Sequence, residues 1–276
     1  MAISITIRWA GPADAAAGST YEVERTTDNV TWSAVAASQA ATSPYVSPTA
    51  VLADDVIYGA TTIGLVSATG ISSNGYGWID DALVQWTGKS VDQLTGVKWY
   101  SGAGTYAAGT TLAEAHESYT DASVTPTLLA VVYRITHTNP AGNISAPTYI
   151  WYYYPPVPAS ADHCVVIVNV ATDLGVEAGD VSVQAYLAAD TQFGDMQGAH
   201  LNAGASAQKT QTTDAFGLVA FQCWKSSRRG AIGTGVDAAY TFLLDSTAAV
   251  QSTVLSVSVA TIPDRDWVLL KDVGSV

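Results

Sequence analysis

VVYRITHTNPAGNISAP, residues 131–147, decides how this chain is read. Val132, Tyr133, Ile135 and the threonines fit a half-buried strand, because β-branched and aromatic residues suit a pleated surface. Asn139 to Asn143 then gathers the Asn, Pro and Gly that tight turns demand. A hairpin is therefore expected here, and the fold depends on where similar strands and turns recur along the chain.

The composition agrees with that local reading. The chain has 276 residues, 48% of them hydrophobic and only 13% charged, enough apolar surface to fill real cores and too little charge for a coiled coil or a charge-rich tail. The expected class is all-β. With 24 acidic and 11 basic residues the net charge is -13, a balance that repels phosphate backbones and anionic membrane surfaces. Nucleic acid is thus not an expected partner, and the small basic cluster Lys225, Arg228 and Arg229 reads as a solvated loop. The first residues, MAISITIRW, alternate at once, without the basic and apolar regions of a signal peptide. No apolar run approaches the length of a membrane span.

A repeat is expected over the first half. ISITIRW (3–9) and ALVQW (82–86) both end in tryptophan, so Trp9 pairs with Trp86 in the alignment, and Tyr58 with Tyr133. The two intervals are 58 − 9 = 49 and 133 − 86 = 47 positions. Between them, TYEVERTTDNVTWSAVA (20–36) reads as a hairpin turning at Asp28-Asn29, and GVKWYSGAGTYAAGTTL (96–112) as its counterpart turning at Gly102 to Gly104. Two units of about seven short strands each follow, which is the arithmetic of a β-sandwich.

These residues, from the tryptophan through YEVERTTDNVTW to TNPAGNISAP, resemble fibronectin type III and related immunoglobulin-like domains over residues 1–154. The resemblance implies one sandwich at 1–79 and a second at 80–156. WYYYPPVPASAD (151–162) then marks a stiff extended boundary, since three prolines cannot donate ladder bonds. Beyond it, HCVVIVNV, GDVSVQAYLA and TQTTDAFGLVAF resemble the carboxypeptidase regulatory-like, or transthyretin-like, sandwich, which implies a third domain over 160–276 with a long inserted loop at 188–209. The closing run STVLSVSVATIPDRDWVLLKDV resembles virion proteins of tailed bacteriophages.

Candidates for chemistry are few. His116, His137, His163 and His200 show no metal-ligand spacing and read as surface or strand histidines. The pairs Asp54-Asp55 and Asp80-Asp81 fall where loops are expected, and no nucleophile elbow or phosphate-binding loop occurs. Neither a catalytic, a cofactor nor a metal site is expected. Cys164 and Cys223 lie in strand-like runs and read either as two core thiols or as a disulfide. In Trp151, Tyr152, Tyr153 and Tyr154 alternate rings must face opposite sides of a strand, which makes the four a candidate interaction surface.

The function expected from these readings is non-enzymatic: a structural protein of a phage particle, as capsid decoration, head fibre or tail component. Its partners would be other virion proteins, further copies of the chain and a host surface glycan. It would be made without a signal peptide and located in the virion. The alternative is a carbohydrate- or peptide-binding accessory module of a bacterial surface or secreted protein.

Overall fold

A computed structural model describes residues 2–102, 104–125, 127–159, 161, 163–170, 179–187, 208–224, 240–245, 256–259 and 267–270. The basic cluster at 225–229, His200 and all but the last two positions of the 188–209 loop lie outside the described residues. Every described element is a strand, so the protein is all-β. Two compact units form: Met1–Arg25 with Trp32–Thr125 and Tyr133–Ile150, and Thr26–Thr31 with Pro126–Val132 and Trp151–Val276.

The chain opens with β1 (Ile3–Trp9), β2 (Thr20–Thr26) and β3 (Ser33–Ala40). Ten short strands follow: β4 (Thr49–Val51), β5 (Val56–Ile57), β6 (Thr62–Gly64), β7 (Gly75–Ile79), β8 (Ala82–Trp86), β9 (Gly88–Ser90), β10 (Gln93–Thr95), β11 (Lys98–Trp99), β12 (Thr105–Tyr106) and β13 (Thr111–Glu114). Then come β14 (Glu117–Val124), β15 (Ala130–Thr138) and β16 (Thr148–Tyr153).

Pairing joins the beginning of this region to its end. β1 lies antiparallel to β14, with Ile7 opposite Tyr119 and Trp9 opposite Glu117. β2 and β3 share a sheet with β15 and β16 in the order β16-β15-β2-β3. These six strands form a frame. Alternation along β1 buries Ile5, Ile7 and Trp9, and the four-stranded sheet answers with Tyr21, Val23, Tyr133 and Ile135. Residues 49–114 are inserted between the two halves of the frame and have a core of their own, built on Leu52, Ile63, Ile79, Val84, Trp86, Leu94 and Leu112. A five-stranded sheet, β11-β8-β7-β13-β4, carries much of it. Glycine lets β7 pack closely on the insert core: a Cβ at Gly75 or Gly77 would stand 3.0–3.1 Å from the Trp86 ring, which would have to give way by a few tenths of an ångström.

The expected division at 79/80 therefore does not match the pairing. Asp80-Asp81 is the two-residue turn of the β7–β8 hairpin, with Ile79 opposite Ala82 and Asp80 at a φ of 49°. Trp9 belongs to the frame and Trp86 to the insert, while Tyr58 sits in a turn and Tyr133 inside β15. Nor do the described residues of 96–112 pair with one another as a hairpin: β11 pairs with β8, and β12 with β5. The reason is physical. Period-two alternation fixes which face a side chain takes but not which strand lies alongside. By contrast the hairpin at Asp28-Asn29 is present, with the Asp28 carboxylate accepting the Val30 and Thr31 amides. So is the turn at 139–143, where Asn139 Oδ1 accepts the Ala141 and Asn143 amides between β15 and β16.

The C-terminal strands are β17 (His163–Asn169), β18 (Ser182–Leu187), β19 (Gln208–Thr212), β20 (Leu218–Trp224), β21 (Tyr240–Asp245), β22 (Ser256–Val259) and β23 (Trp267–Leu270). They form two sheets, β20-β17-β23 and β19-β18-β21-β22. The segment TQTTDAFGLVAF crosses from one sheet to the other, because β19 pairs with β18 and β20 with β17. Asp214 makes the corner: Oδ1 accepts the Phe216 and Leu218 amides at 2.9 and 3.0 Å, and Oδ2 the Leu129 amide at 3.0 Å.

Candidate functional site

The first polar cluster lies at one end of the frame, where the loops leading into and out of the insert converge. Ser47 Oγ accepts the Gly11 amide at 2.8 Å and lies 2.9 Å from His116 Nδ1. His116 Nε2 is 3.7 Å from Glu117 Oε1, which in turn accepts the Thr42 amide at 2.6 Å. Gly11 is required, since a Cβ would fall 2.1 Å from the Tyr45 carbonyl oxygen. The order serine, histidine, glutamate is that of nucleophile, base and orienting acid. Its geometry serves another end: Ser47 is buried, and its hydroxyl oxygen is already engaged by an amide. The three side chains tie the loops at 11, 42–47 and 116 to the start of β14.

Next to it, Trp9 meets Tyr21 edge-on at 5.3 Å, and Tyr21 meets His137 at 5.3 Å. His137 Nδ1 lies 3.6 Å from the exposed Asp14 carboxylate. Burial, and then the Glu117 charge, push the Tyr21 hydroxyl up to about 12; the Trp9 N–H pulls slightly the other way without reaching hydrogen-bond geometry. Trp9 Nε1, Tyr21 Oη, His116 Nε2, Glu117 Oε2 and both His137 ring nitrogens are buried with no hydrogen-bond partner among the described residues. Mixed donors and acceptors of this kind are costly to bury.

A second cluster bolts the two sheets of the frame together and is fully satisfied. Arg25 Nη1 donates to Asp121 Oδ2 at 2.6 Å, and Tyr133 Oη donates to the same oxygen at 3.2 Å. Asp121 Oδ1 accepts both the amide and the hydroxyl of Ser123. Burial alone would raise the Asp121 pKa, but the Ser123 hydrogen bonds and the Arg25 charge outweigh it and hold the carboxyl below the usual range. Burial and the Asp121 charge raise the Tyr133 pKa.

The expected aromatic surface alternates. Trp151 is half-buried, 5.6 Å from Phe216 and stacked on Tyr153, and Tyr153 meets Trp267 at 6.0 Å. Tyr152 and Tyr154 are exposed. A further aromatic group comes from β16 and the β2–β3 turn: Tyr149, 51% exposed, meets Trp32 edge-on at 6.0 Å. Arg134 lies over the Trp32 ring at 4.6 Å while its Nε donates to Glu24 at 2.6 Å. Sequence reading missed this group because its two halves, Glu24 with Trp32 and Arg134 with Tyr149, stand more than a hundred positions apart. Among the described residues, no group of three or more His, Cys, Asp and Glu side chains is arranged to hold a metal ion. Asp81, one of the paired acids, accepts the Tyr106 hydroxyl at 3.1 Å.

No protein-family model matches the chain, and no curated protein is similar to it. Solved structures similar to it include bacterial pilins. BcpA, the major pilin subunit of Bacillus cereus, shares 10% identity over 91% of this chain and 58% of its own, with a TM-score of 0.24. The full-length major pilin SpaD of Corynebacterium diphtheriae shares 8% over 97% and 59%, with a TM-score of 0.26. The pilus backbone RrgB of Streptococcus pneumoniae shares 9% over 88% and 42%, with a TM-score of 0.17. The chain thus spans less than two thirds of the length of each. None of the three is a phage protein, and nothing in the comparisons supports the resemblance to virion proteins.

Proposed function

We propose that the protein is a non-enzymatic structural protein that works by presenting sheet surfaces to neighbouring protein molecules, copies of itself among them. The observation that carries this reading is the surface group Trp32, Tyr149 and Arg134, in which Tyr149 is exposed, Trp32 and Arg134 are half-buried, and Glu24 fixes the guanidinium. Tryptophan, tyrosine and arginine are the residues that anchor protein interfaces, because each joins a large apolar surface to a polar handle. The edge of β3 favours contact through this face over strand addition: its pairing with β2 shifts register twice, and the Tyr119 hydroxyl caps the Val35 carbonyl at 2.7 Å. In the buried Ser47-His116-Glu117 cluster, polar groups serve to hold loops.

The test is the molar mass of the purified chain by light scattering over a range of concentrations. Association that weakens in the Trp32→Ala, Tyr149→Ala double variant supports the reading; an unchanged monomer throughout contradicts it. Whether the assembly belongs to a phage particle or to a bacterial surface is decided by locating the protein in purified virions and in cell-wall fractions.

A further inference from the structure

Cys164 and Cys223 stand directly opposite each other on β17 and β20, and we propose that they form a redox site closed by a cross-strand disulfide. The register supplies the geometry. The Val170 amide donates to the Gly217 carbonyl at 2.8 Å, which makes 170 and 217 a hydrogen-bonded antiparallel pair. Pair type alternates with every residue, so six positions along, 164 and 223 are again a hydrogen-bonded pair. Such pairs hold their Cα atoms about 5.5 Å apart, inside the range a disulfide spans, and their Cβ atoms near the same distance, so the two strands must draw together by about 1 Å at this position for the bond to close. Directly opposed residues also project from the same face of the sheet.

Both cysteines are buried. Burial disfavours the thiolate that must attack, so the folded sheet by itself protects the pair. Its position offers a way in. Cys164 is the second residue of β17 and Cys223 the last but one of β20, and β20 is the outer strand of its sheet among the described residues. Fraying of that strand end, which costs far less than global unfolding, exposes both sulfurs together.

The oxidant is a small or protein disulfide, R–S–S–R. One cysteine gives up its proton and attacks a sulfur of the oxidant, forming a mixed disulfide and releasing R–S⁻; the second cysteine, deprotonated in turn, attacks the first and releases the second R–S⁻. The two protons end on the two R–SH products, and the two electrons lost by the cysteines reduce the oxidant's sulfur–sulfur bond. The product closes a covalent loop from 164 to 223, which restricts the unfolded chain far more than the folded one.

The experiment treats the full-length native protein with glutathione disulfide, then denatures it, alkylates with iodoacetamide and measures the intact mass. The expected result is a chain about 2 Da lighter than the reduced form with no added label, as two thiols joining requires, and a linked peptide pair containing 164 and 223. Prior reduction with a dithiol should restore two labels. Two labels after oxidation, a glutathione left on either cysteine, or a bridge between two chains would each overturn the proposal. None of these outcomes depends on whether the protein assembles through Trp32 and Tyr149.

Discussion

The frame and the insert solve the same problem with opposite chemistry. The insert closes over aliphatic and aromatic side chains, and its indoles find carbonyls: the buried Trp86 Nε1 donates to Ser72 at 3.0 Å and the half-buried Trp99 Nε1 to Ala60 at 2.8 Å. The frame buries Glu117, Asp121 and His137 as well as Trp9 and Tyr21, and among the described residues of the first compact unit the buried side-chain atoms without a partner all belong to it or to the loop at His116. Apolar burial is favourable wherever it occurs, whereas a buried polar atom helps only when it is paired. The insert should therefore respond to lost volume, and the frame to changes in hydrogen bonding.

The largest effect should come from Trp86→Ala, which empties the centre of the insert and should cost about 3–5 kcal/mol in urea denaturation. A cost under about 1 kcal/mol would show that the insert core is not close-packed. Asp121→Ala should approach that figure, about 3–5 kcal/mol, because it leaves Arg25 without its buried partner. Gly11→Ala comes next at about 2 kcal/mol, since the methyl group must displace the Tyr45 carbonyl. Tyr21→Phe tests the contrast most sharply: it removes a buried hydroxyl that has no partner, and should be neutral or stabilising by about 1 kcal/mol.

The same residues set the pH limits. Asp121 has a folded pKa below its unfolded one, so its contribution is complete above the ordinary carboxylate range and is lost as pH falls through the folded value. Asp28, lowered chiefly by the Thr31 and Val30 amides, acts in the same direction. Asp121→Asn should accordingly flatten the acid side of the stability profile. Tyr21, raised to about 12, works the other way: stability is complete below the ordinary tyrosine value and falls as pH rises toward 12. The Tyr21→Phe chain should lose that alkaline decline. A comparably small effect belongs to Val91, a β-branched residue at a φ of 47° in the β9–β10 turn, where Val91→Gly should stabilise by about 1 kcal/mol.

What could be read from the sequence was local. The alternation of ISITIRW, the Asp28-Asn29 turn and the Asn139 to Asn143 turn each depend on neighbours within a few positions, and each reappears in the fold. Partnership was hidden, because two tryptophan-ended strands look alike whether they lie in successive domains or in a frame and its insert. The polar clusters were hidden for a related reason. ESYTDA (117–122) looks like an exposed polar strand, yet Glu117 and Asp121 are buried, and the Arg25 that permits Asp121 to be so lies 96 positions away. Charged residues enter a core only with a partner, and a partner so remote leaves no trace in local pattern.

The central claim is that the first strand of the chain pairs with a strand beyond the insert. Thr6 and Thr120 are register partners on β1 and β14, with their hydroxyls 2.9 Å apart and exposed. Cysteines placed at both positions and oxidised should cross-link within a single chain, as peptide mapping of the monomer would show. Failure to bridge 6 to 120, with residue 6 found instead beside strands from the first 79 residues, would contradict the frame and restore two sandwiches in succession.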